Sequence, residues 1–528
     1  MVGTARAGHR LMLELADARP DVITTPRRRH AIAVSVLTAA AVALYATVEF
    51  LRFYTFRAGT YDLVIFDQAV RSYSHFQLPV AVVSGVHRGF GTGFSELGDH
   101  FSPILATLAP LYWIHSGPQT LLVAQALLFA AAIPPLWLFT RRELGTVAAY
   151  CVAIGYAVSW PVAQAVAFDF HEVAFVPLLL AVLFERFSAY RRDAGHWWHL
   201  ALPALGLLAV KEDMGLMVAA FGLAVLLMST RWVTPRRHEA RRLGTGFVVG
   251  GLVAVVVCTD IVLPAFGSKP RFYWRYGQFG PSLPSAVWDM LTHPATVGDT
   301  FVQPQVKVQT VVALLTVAAF ASLLSPFLLV LLPQLAERML SDAPNWWSTA
   351  FHYDAFLVVP LLCAGVDAMA RLRRWSAHRQ PLRPAGERIG VLWAAAVLVL
   401  AVFSVHDFAF DQLLHGSSWQ RTAAMRAEAG AVATVPSGVT VEAANPLGPR
   451  LTSRTTVLLW DELPRWAPWV VADTANQVFP FCTVAQQQAK VDYLTGHGYR
   501  IVYSVDGYLV LHHPGPLPPL VTAQSSGC

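Results

Sequence analysis

Five short stretches of the 528-residue chain carry ionisable side chains beside runs that are otherwise apolar. They are YDLVIFDQ with Asp62 and Asp67, GDHFSP with Asp99 and His100, and DFHEVAF with Asp169, His171 and Glu172. KEDMG adds Lys211, Glu212 and Asp213, and FHYDAF adds His352 and Asp354. A charge at the centre of a bilayer costs at least about 2.5–3.5 kcal/mol on insertion scales, so such groups pair with one another or line a wet cavity. A carboxylate within reach of a hydroxyl can take its proton as the oxygen attacks, while a cation steadies a departing phosphate. Cations suited to that task are Arg52, Arg57, Arg71, Arg88, Lys211, Lys269, Arg271, Arg275 and Arg338: arginine offers a planar donor fork and lysine a point charge.

Plainer uses compete. Asp62 is a good N-cap for an amphipathic helix carrying Leu63, Phe66, Val70 and Tyr73, and Ser102-Pro103 reads as a helix start. The aromatic and basic stretches KPRFYWRYGQFG and NWWSTAFHYD fit an interfacial belt as well as a grip on lipid phosphate or sugar. HEVAF is not a zinc-protease motif, because Phe175 stands where HExxH needs histidine, and no Walker sequence or GxGxxG is present. Aspartate and histidine from several loops would suit manganese or magnesium, which leaves a divalent cation as an open cofactor.

The elements that must position these residues are membrane spans. The chain is 55% hydrophobic and 14% charged, and its apolar runs reach the ~20 residues a helix needs to cross a bilayer. Its +6 formal charge sits between the runs, as Arg27 to Arg29, Arg141, Arg142, Arg186, Arg191, Arg192, the arginines of 231–242, and Arg371, Arg373 and Arg374. Positive-inside sorting accounts for that pattern without a nucleic-acid partner. Outward spans are expected near 31–51, 144–166, 197–210, 244–264, 326–340 and 389–406, and inward spans near 118–140, 173–190, 213–230, 306–324 and 352–371. Residues 103–115 are too short to cross and read as a re-entrant or interfacial piece.

The expected fold is therefore mainly α: a polytopic transmembrane helical bundle of about eleven spans, N-terminus in and C-terminus out. Residues 1–30 form a cytoplasmic basic tail, 31–407 the bundle with outer loops 52–117 and 265–305, and 408–528 a small extracytoplasmic α/β domain. In that domain VTVEAA, TTVLLW and WVVAD read as strands, AQQQAKVDYLTGHG as a helix, and YRIVYSV with GYLVLHH as a hairpin turning at Asp506-Gly507. Cys151, Cys258 and Cys363 fall in spans, whereas Cys482 and Cys528 lie outside, where a disulfide is allowed.

In their order along the chain, YDLVIFDQAV, GDHFSPILATLAPLYW, DFHEVAF, KEDMG and FHYDAFLVVPLL resemble the bacterial membrane-protein family of domain of unknown function 2079, itself similar to the GT-C class of membrane glycosyltransferases. The resemblance implies a polyprenyl-phosphate sugar donor and an acid in the first outer loop as base. Asp62 matches that place, with Asp67 in reserve. Many members of the wider class have two adjacent acids there, whereas Leu63 follows Asp62; Asp99 and His100 are candidates for the missing pair.

The reading that follows is an integral-membrane glycosyltransferase passing a sugar from a polyprenyl-phosphate donor to a cell-envelope acceptor on the outer face of the cell membrane. Asp62 would be its base. Asp99, His100, Asp169 and His171 would shape the site or hold a metal, Lys211 and Arg271 would lie near phosphate, and Glu172, Glu212, Asp213, Arg275, His352 and Asp354 join them as substrate-binding candidates. The alternatives are a transporter or flippase of a lipid-linked precursor, and a non-catalytic envelope-binding scaffold.

Overall fold

The computed structural model describes residues 24–192, 195–230, 236–269, 274–377, 379 and 383–525. Where water is absent each backbone N–H and C=O needs an internal partner, so the long apolar runs become helices. Among the described residues seven are long and apolar enough to cross a membrane: Arg28–Tyr54, Pro118–Leu144, Thr146–Ala167, Glu172–Tyr190, Arg237–Ala265, His352–Ala377 and Arg388–Asp407. Four shorter apolar helices, Pro103–Tyr112, Trp198–Leu208, Met214–Ser229 and Val306–Val317, accompany them.

The helices used below are α1 (Thr24–Tyr54), α2 (Ile65–Ser74), α3 (Phe175–Tyr190), α4 (Trp198–Leu208), α5 (Met214–Ser229), α6 (Arg236–Val257), α7 (Leu332–Met339) and α8 (Ala355–Ala377). The most apolar stretch of α8 is 89% buried, against 22% for α1 and α6, so α8 is the spine of the bundle and α1 and α6 lie on its rim.

Two expected spans are broken. Over 326–340 a tight turn at Pro326–Val330 precedes the two-turn α7, because Pro326 and Pro333 remove backbone donors and Gln334 and Arg338 are buried toward polar partners. Over 306–324 the helix stops at Val317, and Ala319 and Phe320 turn the chain with positive φ. Lys211, Glu212 and Asp213 separate α4 from α5, as the sequence predicts, and so leave the apolar part of either helix uncharged.

The C-terminal segment adds β1 (Thr440–Ala443), β2 (Thr456–Leu459), β3 (Trp469–Asp473), β4 (Arg500–Val505) and β5 (Tyr508–His512). They form one sheet in the order β2-β1-β3-β5-β4. β1 runs parallel to β2 and β3, and β5 is antiparallel to β3 and β4. The β4–β5 turn places Asp506 and Gly507 at φ 50° and 83°, the left-handed pair a two-residue hairpin loop requires. Helix α9 (Ala423–Thr434) packs on the sheet, and α10 (Val484–Gly496), started by a reciprocal Thr483–Gln486 cap, connects β3 to β4. Cys482 is disulfide-bonded; Cys528, its expected partner, lies outside the described residues.

This small domain does not close its own core. Phe56, Val64, Ile65, Ala81 and Val83, all from the loop after α1, pack into one cluster with Val441, Leu459, Trp460 and Val470. The loop is thus held between bundle and sheet, and Asp67 is its fastener. Fully buried, Asp67 accepts hydrogen bonds from Arg71 (2.6 Å), from the Thr452 hydroxyl (2.7 Å) and from the Tyr112 hydroxyl (2.9 Å). Arg71 also donates to the Thr452 carbonyl at 2.7 Å. The reserve base is therefore a structural anchor: it sits on α2 five residues beyond Asp62, and both its oxygens accept hydrogen bonds from Arg71, Thr452 and Tyr112.

Breaking a buried ion pair from one side strands the other charge. Arg71→Leu is expected to cost about 3 kcal/mol of stability, and Thr452→Val about 1–3 kcal/mol. Thermal unfolding of the purified protein in detergent reads both; two variants as stable as the wild type would mean that Asp67 does not fasten the loop.

Candidate functional site

Asp62 lies on a widened, i to i+5 bonded turn, Thr60–Val64, of the kind that often marks functional positions. Both halves of the molecule hold this turn. From the bundle side, Asp169 accepts the Gly59 N–H at 2.7 Å, and a Cβ on Gly59 would come within 2.9 Å of that carboxylate, so the approach needs glycine. From the sheet side, the Thr60 N–H donates to the Asn445 carbonyl (2.7 Å) and the Tyr61 N–H to the Asn445 side chain (3.0 Å).

The turn opens into a cavity of about 250 Å³ whose wall includes Asp62, Asp99, His100, His171, Glu172, Lys211, Glu212, Asp213 and His352. Residues from five sequence-distant stretches thus meet at one place. His171 is oriented twice: Nδ1 donates to the Asp169 carbonyl (3.0 Å), and Nε2 lies 3.5 Å from Asp62 Oδ1. Its ring stacks on His352 at 3.7 Å. Burial pulls the His171 imidazole down, but the Asp62 and Glu172 carboxylates outweigh it and hold the ring above its usual value. For Asp169, burial first and the Asp62 charge second push the carboxyl up to about 7.

The cations are set against acids. Lys211 Nζ lies 3.7 Å from Glu172, and although burial opposes its charge, Glu172, Asp213 and Glu212 hold it protonated. Arg88 pairs with Asp99 and donates from Nε to the Tyr61 hydroxyl at 2.5 Å. Arg338 on α7 donates to Asp354 (2.7 Å) and to the carbonyls of Trp346 (2.6 Å) and Tyr353 (3.0 Å). Its Nη2 keeps no partner, nor do buried atoms of His352, Glu96, Glu172, Asp213 and Glu337. Buried polar atoms left unpaired are costly, and their convergence on one cavity marks where a ligand's polar groups would be met.

Several expectations need correcting. Asp67 is in the fastener above, and Asp169 and Asp354 stand behind the wall, bonding Gly59 and Arg338 instead of lining the cavity. Arg275 is exposed and contributes its carbonyl to the Asp342 N–H at 2.9 Å. Arg271 lies outside the described residues. Among the described residues no three His, Cys, Asp or Glu side chains gather at metal-binding spacing.

Lining residues that the sequence reading did not single out include Tyr61, Glu96, Tyr276, Gln334, Glu337 and Tyr353. For Glu337 the signal was present: PQLAER places three polar side chains inside an expected span, and residues of that kind inside a membrane are functional candidates by default.

A second, mostly apolar groove of about 480 Å³ adjoins the cavity, walled by Leu216, Val255, Leu263, Val287, Met290 and Leu340 among others. Glu212, Asp213, Tyr276 and Glu337 line both spaces. A charged chamber therefore lies directly beside a lipophilic trough, the two sharing these four residues.

His100 Nδ1 meets Glu212 Oε1 at 2.9 Å, and Glu212 also accepts the Phe101 N–H at 3.0 Å. Burial and Lys211 pull the His100 ring down, yet Glu212 raises it on balance; for Glu212, burial raises the carboxyl but His100 outweighs it and depresses it. A raised histidine stabilises the fold fully below its unfolded value of ~6.5 and loses that contribution as pH rises through the folded value. A depressed glutamate contributes above its unfolded ~4.3 and loses it as pH falls. The stability gap between wild type and His100→Gln is therefore expected to peak between about pH 5 and 6.5 and shrink at alkaline pH. Unfolding midpoints across that range measure it, and a gap independent of pH would remove the ion pair.

The chain is similar to two solved membrane proteins. One is ArnT from Cupriavidus metallidurans bound to undecaprenyl phosphate, at 12% identity and a TM-score of 0.47, covering 90% of this chain and 97% of that one. The other is the archaeal oligosaccharyltransferase AglB from Archaeoglobus fulgidus in complex with an inhibitory peptide and a dolichol-phosphate, at 12% identity and a TM-score of 0.41, covering 92% and 76%. No curated protein matches the sequence. The profile described as predicted membrane protein, domain of unknown function 2079, matches residues 52–510, and the chain belongs to that family.

Proposed function

We propose that the protein is an integral-membrane glycosyltransferase that moves a sugar from a polyprenyl-phosphate donor to a hydroxyl of a cell-envelope acceptor. The observation that carries this reading is the junction of the two spaces. A polyprenyl-phosphate sugar is a long apolar chain ending in a phosphate and a polar ring, and the apolar groove beside the acid-and-base chamber matches both ends of it. The side of action follows from the arginines: Arg142, Arg186, Arg191, Arg192, Arg371 and Arg374 pair with acids at the far end of the bundle, which positive-inside sorting assigns to the cytoplasm. The cavity and the C-terminal sheet then face outward.

In this reading Asp62, 31% exposed at the cavity wall, accepts the proton of the acceptor hydroxyl as that oxygen bonds to the anomeric carbon. The bond from the anomeric carbon to the phosphate oxygen breaks, and the polyprenyl phosphate leaves with the electron pair. Lys211 and the unpartnered Nη2 of Arg338 offset its charge. His171 keeps the Asp62 carboxylate turned toward the chamber.

Asp62→Asn keeps the shape and removes the base. With a panel of polyprenyl-phosphate sugars in proteoliposomes, it is expected to lower sugar transfer by about 10²-fold or more while donor binding persists. Val287→Trp, which narrows the groove, is expected to raise KM for the donor with kcat little changed. Transfer unaffected by Asp62→Asn, or movement of the lipid across the bilayer with its sugar still attached, would overturn the reading, the latter in favour of a transporter.

A further inference from the structure

The end of the bundle away from the cavity holds a second polar-and-apolar space that the proposed reaction does not use. Helix α3 begins beside His171 and Glu172 and ends at Tyr190, a rise of about 24 Å at 1.5 Å per residue. At that far end lies a groove of about 730 Å³ between the start of α4 and the first turns of α6. Ala201, Leu243 and Phe247 give it an apolar floor, and Gly246 has no heavy atom within 4 Å of where a Cβ would stand. Trp197 is 62% exposed at its rim, a place where indoles sit at membrane interfaces.

Its charges differ from those around it. Several arginines at this end meet buried acids: Glu143 takes Arg192 (3.1 Å) and Arg374 (3.6 Å), Asp367 takes Arg371 (2.7 Å) and Arg191 (3.7 Å), and Glu185 takes Arg142 and Arg186. Among the described residues Arg242, in the groove, has neither hydrogen bond nor ion pair. Glu239 lies one turn earlier on α6 in the same groove, where the Tyr190 hydroxyl donates to it at 3.4 Å. Residues three apart on a helix have Cβ atoms about 5–6 Å apart, comparable to the separation of phosphate and ammonium in one ethanolamine headgroup.

We propose that this groove is a binding site for one zwitterionic aminophospholipid of the phosphatidylethanolamine class, with its phosphate on Arg242, its ammonium on Glu239 and its acyl chains over Leu243 and Phe247. A purely anionic headgroup would set its charge against Glu239, and a quaternary ammonium has no N–H to donate to that carboxylate.

Native mass spectrometry of the full chain, released from micelles containing equal amounts of phosphatidylethanolamine, phosphatidylcholine and phosphatidylglycerol, tests the site. The expected result is one retained phosphatidylethanolamine in severalfold excess over the other two. Glu239→Gln should erase the preference over phosphatidylcholine, and Arg242→Ala should lose the bound lipid. Gly246→Leu fills the groove without touching either charge and should also expel it, which covers the case in which a charge variant fails to fold. Equal retention of the three lipids, preference for phosphatidylglycerol, or retention unchanged in both Arg242→Ala and Gly246→Leu would overturn the proposal. None of these outcomes depends on the transferase reading.

Discussion

Charge is expelled from hydrocarbon unless it is matched, and both ends of this bundle are organised by that constraint. At the far end the matching is close to complete: Glu143, Glu185 and Asp367 are buried on three different helices, and each holds an arginine from another element, Arg192 and Arg374 on Glu143, Arg142 on Glu185 and Arg191 on Asp367. Such pairs pin the helix ends to one another. At the cavity end the matching is left open. Arg338 bonds one oxygen of Asp354 behind the wall while one of its own nitrogens goes without a partner, and Glu96, Glu172, Asp213, Glu337 and Asp354 each keep an unpaired oxygen. The same chemistry that closes one end leaves the other prepared for a ligand.

A second dependence joins the two domains. The turn that carries Asp62 is gripped by Asp169 from the bundle and by Asn445 from the segment after β1. Asp67, Arg71 and Thr452 fasten the next helix to the same segment. A shift of the sheet against the bundle would move Asp62 relative to His171 and Lys211. The C-terminal domain is therefore part of the scaffold of the site even though none of its residues lines the cavity.

Much of the architecture was legible in the sequence. Apolar runs of span length predicted the long helices, the Lys211 to Asp213 interruption predicted the break between α4 and α5, and Asp506-Gly507 predicted the last hairpin. Proline and polar residues inside apolar runs break the expected spans. Pro326, Pro333 and the Gln334 to Arg338 group turn an expected span into a tight turn and a short helix that delivers Arg338 and Glu337 to the cavity. Asp67 misled for another reason. From the chain alone an acid in the first loop looks available, and only its three donors, drawn from α2, from Tyr112 and from Thr452, reveal that it is spent on structure.

What the sequence by itself determined is local and additive: which runs must be helical in lipid, where polar residues interrupt them, and which residue types could carry a proton or meet a phosphate. Tertiary structure alone decided which of those residues face one another. Asp62, His171 and Lys211 converge because segments distant in sequence return to one bundle end, while Asp169 and Asp354 are turned one layer back by partners at Gly59 and Arg338. Membership of the cavity depends on side-chain direction and on contacts distant in sequence. Periodicity and composition carry no information about either.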